Sequence, residues 1–184
     1  MIVTPTALEG CFIIEPQVFG DHRGYFFESF SEIKLRDAIP NLPTFIQDNE
    51  AFSIEPGVVR GLHAQAGAYA QAKLVRVTQG AVLDVAVDFR KDSPTFGQYV
   101  GVELTGQNKK QLLVPRGFLH GYIVLEANTT FVYKCDNFYN KQAEIGVNVK
   151  DATLNIDWGV SYDKMILSEK DEILPSFKEL AATL

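Results

Sequence analysis

The sequence predicts a single all-β domain, with antiparallel strands closed into a barrel or packed as a sandwich and a few short helices at its periphery. Three observations predict it. Short extended runs recur at even spacing, punctuated by the turn residues QG, SPTFG and PRG. One of them, AVLDVAVDF from Ala81, has a clear period of two. Stretches of helical period are few.

In chain order the extended runs are CFII at Cys11, YFFESF at Tyr25, KLVRV at Lys73, AVLDVAVDF at Ala81, YVGVEL at Tyr99, QLLVP at Gln111, YIVL at Tyr122 and TTFVYKC at Thr129. In AVLDVAVDF, Ala81, Leu83, Val85, Val87 and Phe89 share one face while Asp84 and Asp88 fall on the other. That pattern predicts a strand buried on one side. One short helix is expected with Ser31 as its N-cap, running through Lys34 to Ala38 and stopped by Pro40. A second follows Pro175, through Phe177, Leu180 and Ala181.

A chain of 184 residues with 46% hydrophobic content can bury one substantial core. No linker, repeat or low-complexity block divides it, so one domain spanning 1–184 is expected. The opening MIVTPTALEG lacks a basic n-region and an apolar h-region, and no stretch approaches the roughly 20 apolar residues that span a bilayer. A soluble cytoplasmic protein without a membrane partner is therefore expected. Cys11 and Cys135 are far apart and outside any CxxC spacing, which predicts two reduced thiols in or near the core. The net charge of -6 argues against a nucleic-acid partner, so positive contacts to an anionic ligand must be local.

Two of the three histidines sit in patterned surroundings, GVVRGLHAQ around His63 and VPRGFLHGY around His120. Gly57 six positions before His63, and Pro115-x-Gly117-x-x-His120, echo the two half-motifs of the cupin (jelly-roll) barrel. The echo lacks its His-x-His, because Ala64 and Gln65 follow His63. A mid-row metal wants three or four converging imidazole or carboxylate ligands, so neither metal nor cofactor is expected.

A lone histidine is more often structural than catalytic, but the neighbours of His63 change the balance. Arg60 and His63 share one expected strand, Lys73 opens the next, and Tyr133 lies in a later run, FVYK. A barrel can turn all four inward. Basic and phenolic groups so placed favour an anionic polar ligand. Without the barrel, Arg60 and Lys73 are solvated strand ends and Tyr133 an aromatic anchor.

The segments DHRGYFFE (from Asp21), QDN (from Gln47), VVRGLH (from Val58), KLVRVTQGAVLDVAVDFRKDSPTFG (from Lys73), VPRGFLHGY (from Val114), VYKCDNFY (ending at Tyr139) and LSEKDEILP (from Leu167) form a specific ordered signature. In these segments, from about Val3 to Pro175, the chain closely resembles the dTDP-4-dehydrorhamnose 3,5-epimerase family of cupin-type sugar epimerases. The resemblance implies His63 as general base oriented by Asp171, Tyr133 as acid on the opposite face of the sugar, and Lys73 on the keto oxygen. It further implies a nucleotide-sugar site lined by Arg23, Glu28, Gln47, Asp48, Asn49, Arg60, His120, Glu144 and Lys170, with Tyr139 stacking on the thymine. It also implies a homodimer, in which Arg23 and Glu28 serve the neighbouring pocket. Two positions depart from the family: Ala64 stands where an aromatic is usual and Ala51 where serine is usual. They imply a looser or reshaped pocket wall.

Three rival readings are a single-position epimerase or ketoisomerase on a related dTDP-4-keto-6-deoxy sugar, a metal-dependent cupin oxygenase and a catalytically silent sugar-binding cupin. Label uptake from deuterated water separates the first and the last, and metal analysis separates the second.

Overall fold

Alternation between two sheets organises the chain. The computed structural model describes residues 1–184. Its strands are β1 (Ile2–Pro5), β2 (Phe12–Glu15), β3 (Phe19–Asp21), β4 (Gly24–Phe26), β5 (Gln47–Ser53), β6 (Val59–Gln65), β7 (Lys73–Gln79), β8 (Ala81–Asp88), β9 (Tyr99–Thr105), β10 (Gln111–Val114), β11 (Phe118–Val124), β12 (Thr129–Cys135) and β13 (Glu144–Gly146). The α-helices are short: α1 (Glu32–Ala38), α2 (Glu169–Glu172) and α3 (Phe177–Ala181). A six-stranded sheet runs β1-β2-β10-β7-β12-β5, and a five-stranded sheet runs β13-β6-β11-β8-β9. Every pairing within them is antiparallel. From β5 onward, successive strands change sheet except at the β8–β9 hairpin. The result is the expected all-β jelly-roll architecture in the form of a two-sheet sandwich.

The inner faces meet in a core of Val75, Val77, Val82, Ala86, Leu104, Leu112 and Phe131. Removing such side chains from water is the main favourable term in folding. On the outside of the six-stranded sheet, Leu35, Ile39 and Leu42 pack over Ile14, Leu74 and Leu113. The outside of the five-stranded sheet is covered by the segment after β13, whose Val147, Ile156, Trp158, Phe177 and Leu180 pack on Val85, Val87, Leu119 and Ile123. Trp158 satisfies its buried indole by donating Nε1–H to the Val149 carbonyl at 3.0 Å.

Coverage of both faces corrects one reading of the sequence: the segment after β13 lies over Val85 and Val87, while the face that Asp84 and Asp88 share with Val82 and Ala86 is turned to the six-stranded sheet. β8 is buried on both faces, and Asp84 and Asp88 are fully buried rather than turned to solvent. Alternation in a strand reports which residues share a face, not what later covers that face. Asp88 is tolerated because the Arg90 guanidinium and the Ser93 and Thr95 hydroxyls all donate to it. Two helices stand where expected. Ser31 and Ser176 occupy the N-cap positions, but only Ser176 makes a capping box; the Ser31 side chain makes no cap bond. YFFESF is strand only at Tyr25 and Phe26, which pair with β3 in an isolated hairpin. The sequence pattern does not mark β1, β3, β5, β13 or α2. No helix is long and apolar enough to cross a membrane.

Burial alone would raise the Asp88 pKa, but the hydrogen bonds from Arg90, Ser93 and Thr95 outweigh it and hold the carboxyl at about 2, below its ordinary 3.8. A depressed carboxyl contributes stability that is complete above its unfolded pKa and disappears as pH falls through the folded value. Asp88→Asn should cost about 2 kcal/mol in urea denaturation at pH 7. It should also flatten the loss of stability that the parent protein shows between about pH 4 and pH 2. A variant with unchanged stability and the same acid slope would contradict this assignment.

Candidate active site

A bulge in β6 builds one wall of the cavity. β11 pairs His120 with His63 and Tyr122 with Arg60, so two residues of β6, Gly61 and Leu62, oppose only Gly121. The extra residue reverses the alternation, and Arg60 and His63, three apart, line the same cavity. Glycine is required here. A Cβ on Gly61 would lie 2.6 Å from the His120 carbonyl oxygen, and one on Gly121 would lie 2.8 Å from that of Arg60.

The facing wall comes from the six-stranded sheet. Phe131, Tyr133 and Cys135 alternate along β12, and Cys135 is opposite Lys73, the first residue of β7. On β5, Gln47, Asn49 and Ala51 share the inward face. Between the walls lie two adjoining lobes, of about 480 Å³ and about 390 Å³, whose linings share His63, Lys73 and Tyr133. The first also holds Arg60, His120, Tyr122, Phe131 and Asp171; the second holds Gln47, Asn49, Gln65, Tyr139 and Glu144.

His63 is anchored from the other end of the chain. Ser168 caps α2 by accepting from the Asp171 backbone N–H, and Asp171 is buried with its carboxylate 2.6 Å from His63 Nε2. A carboxylate only accepts, so Nε2 carries the proton and the other ring nitrogen keeps its lone pair. Burial pushes the imidazole below its ordinary value, and the Asp171 charge and hydrogen bond partly restore it. At neutral pH the ring is therefore an uncharged base.

Glu144 lies 4.0 Å from the same nitrogen. It accepts from the Tyr139 hydroxyl at 2.6 Å and from the Lys170 ammonium. Burial pushes the Glu144 carboxyl up, but these two donors outweigh it and hold it below the ordinary range. His120 shares its Nε2 proton between both oxygens of Asp84, each at 3.0 Å. Burial lowers the Lys73 pKa and raises that of Tyr133. A phenol held protonated donates a proton, and a desolvated ammonium acts strongly on nearby negative charge.

The structure thus brings His63, Tyr133, Lys73, Asp171, Arg60, His120, Gln47, Asn49, Tyr139, Glu144 and Lys170 to one connected site, with Tyr139 more than half exposed at its rim. Three expected residues lie elsewhere. Asp48 is on the opposite face of β5 from Gln47 and Asn49, where it pairs with Lys134 at 2.8 Å. Strand alternation forces that outcome. Arg23 and Glu28 belong to the β3–β4 segment, which does not fold over this chain's own cavity, and they pair with Asp21 and Lys34.

Asp84 and Tyr122 line or support the site without having been singled out in the sequence. The polar interruption in AVLDVAVDF was the available signal for Asp84. Cys11 and Cys135 are both free and buried, as expected. No group of three or more His, Cys, Asp and Glu side chains is arranged so that it could hold a metal ion.

Comparison with known proteins gives a consistent result. A sequence model of the family described as dTDP-4-dehydrorhamnose 3,5-epimerase matches residues 5–179. A relative of that name from Shigella flexneri is 49% identical over 171 residues, covering 93% of each chain. The crystal structure of dTDP-4-dehydrorhamnose 3,5-epimerase from Elizabethkingia anophelis NUHP1 superposes with a TM-score of 0.93 at 51% identity, covering 97% of both chains. An epimerase from Legionella pneumophila Philadelphia 1, solved in complex with dTDP-4-keto-L-rhamnose, gives a TM-score of 0.93 at 42% identity, covering 99% of this chain and 95% of that one. With its sandwich, its signature segments and nearly its whole length shared with these proteins, the chain belongs to the dTDP-4-dehydrorhamnose 3,5-epimerase family.

Proposed function

We propose that this protein epimerises dTDP-4-keto-6-deoxy-D-glucose at carbons 3 and 5, giving dTDP-4-keto-L-rhamnose for dTDP-L-rhamnose biosynthesis. One observation carries the reading. A neutral imidazole anchored by a buried carboxylate and a protonated phenol from the opposite sheet line the same cavity as an ammonium.

Hydrogens beside a ketone become acidic when the developing enolate is stabilised. His63 removes the proton from carbon 3, the C–H electron pair moves toward the carbonyl, and Lys73 holds the oxygen as negative charge grows. The Tyr133 O–H then delivers a proton to the opposite face of the same carbon, inverting it. Proton exchange with water returns the imidazolium and the phenolate to their starting states. A second cycle inverts carbon 5. Asp171 fixes the His63 tautomer and stabilises the imidazolium.

Arg60 and Lys170 supply cationic contacts for the diphosphate, and the exposed ring of Tyr139 offers a face on which the thymine can stack. Gln47, Asn49, His120 and Glu144 add polar contacts. The free, buried cysteines accord with a reducing cytoplasm. On the β3–β4 hairpin, Phe19, Tyr25 and Phe26 are 56%, 60% and 67% exposed. Apolar surface of this kind marks an interface, which supports a homodimer in which Arg23 and Glu28 reach the neighbouring cavity.

In deuterated water the parent protein should place label at both carbons of dTDP-4-keto-6-deoxyglucose; label at one carbon would favour a single-position epimerase. His63→Ala should abolish exchange at both, a loss of about 10³-fold or more, while dTDP still binds. Tyr133→Phe should exchange without inverting, and a fully active Tyr133→Phe would remove the phenol from the mechanism.

On the acid side, kcat/KM should fall as His63 takes up its proton, with a midpoint below 6.5. The Asp171 charge raises that pKa, so Asp171→Asn should move the limb to still lower pH and reduce turnover. Light scattering should give a dimer, and Arg23→Ala should weaken dTDP binding. A monomer with full affinity would contradict the shared pocket.

A further inference from the structure

The cavity contains a donor without an acceptor. The Tyr122 hydroxyl is buried and is the single buried side-chain polar atom in the chain with no hydrogen-bond partner. Its residue is 4% exposed. Leaving such a group unpaired costs about 1–3 kcal/mol, so an orphan in a native fold needs an explanation.

The surroundings prevent an internal remedy. The Tyr122 ring stacks on Phe131, with centroids 4.1 Å apart and planes within 20°, so it cannot swing its hydroxyl to water. Asp84, opposite it in the strand pairing, is directed at the His120 ring, and no hydrogen bond joins it to the Tyr122 hydroxyl. The neighbouring Arg60 guanidinium approaches the phenol oxygen as a donor, yet it has no lone pair and cannot accept the phenol proton. Burial pushes the Tyr122 phenol well up, so the hydroxyl keeps its proton and can donate. The residue that lines the cavity beside Phe131 on the next strand is Ala51, whose methyl group offers no acceptor.

We infer that Tyr122 is a substrate-positioning residue whose hydroxyl, beside Arg60, donates to an oxygen of the bound nucleotide sugar. Two donors side by side on the cavity lining, with no protein acceptor for the phenol proton, suit an electron-rich oxygen on either the diphosphate or the sugar. The inference rests on the epimerase reading above, since it takes its ligand from it. It requires no group absent from that substrate. Tyr122 would then discriminate among ligands, because a site built around a buried donor rejects an analogue lacking the matching oxygen.

Tyr122→Phe tests it by deleting one oxygen while keeping the stacked ring. The melting temperature should stay the same or rise, because the variant loses an unsatisfied buried hydroxyl. Nucleotide-sugar recognition should weaken by about tenfold. If the partner is a diphosphate oxygen, the Kd for dTDP and the KM for the 4-keto sugar both rise. If it is a sugar oxygen, dTDP binds as before and only the steady-state constants of the sugar change. Unchanged dTDP affinity together with unchanged kcat and KM would overturn the inference, as would a marked fall in melting temperature with activity retained. Parent protein that neither binds dTDP nor exchanges protons would instead overturn the epimerase reading, and the two failures are therefore distinct.

Discussion

A buried imidazole needs a partner for its ring N–H, and here the partner comes from 108 residues further along the chain. The bond between His63 and Asp171 joins β6 of the five-stranded sheet to the last part of the fold, and much of the architecture serves it. The segment after β13 must cover the outer face of that sheet before α2 can bring Asp171 to the cavity. The cap from Ser168 then fixes the short helix that carries the carboxylate. Within β6, the bulge opposite Gly121 turns His63 and Arg60 to the same side. The same interaction keeps the imidazole correctly protonated, so folding and chemistry meet in one hydrogen bond.

The electrostatics of the cavity follow from what is paired and what is left open. His120, Glu144 and Asp171 have partners within the protein, which makes their burial tolerable. Lys73 has no such ion pair, and its burial favours any ligand that develops negative charge beside it. Tyr133 and Tyr122 are both held protonated by burial, yet on different terms: one lines both lobes, the other faces only the first and lacks an acceptor. A chain of net charge -6 thereby concentrates donors where an anionic substrate would lie.

Period-two patterning made most inward-facing strands legible from the residues alone, because KLVRV, AVLDVAVDF and TTFVYKC each carry a strong apolar face. β5 escaped notice because QDNEAFS places polar side chains on both faces, one toward the cavity and one toward solvent. Asp84 and Asp88 read as an open face because two carboxylates interrupt the apolar pattern there, although that face, shared with Val82 and Ala86, is the one turned to the six-stranded sheet. The His63 and Asp171 pairing came through resemblance, since no local rule connects residues so far apart. Asp48 lies apart from Gln47 and Asn49 for a simpler reason: the resemblance groups all of QDN at one site, while strand geometry sends its middle residue to the other face. The bulge in β6 was likewise invisible, although the close glycine pair that permits it was present in VVRGLH and FLHGY.

The central claim is that imidazole and phenol act on opposite faces of one sugar ring. A crystal structure with dTDP-glucose tests it most directly, because that sugar lacks the 4-keto group and cannot be turned over. The account predicts the hexose between the sheets, with a ring nitrogen of His63 directed at one face, the Tyr133 hydroxyl at the other and Lys73 toward the oxygen on carbon 4. A sugar bound outside the cavity, or one with both groups on the same face, would contradict it.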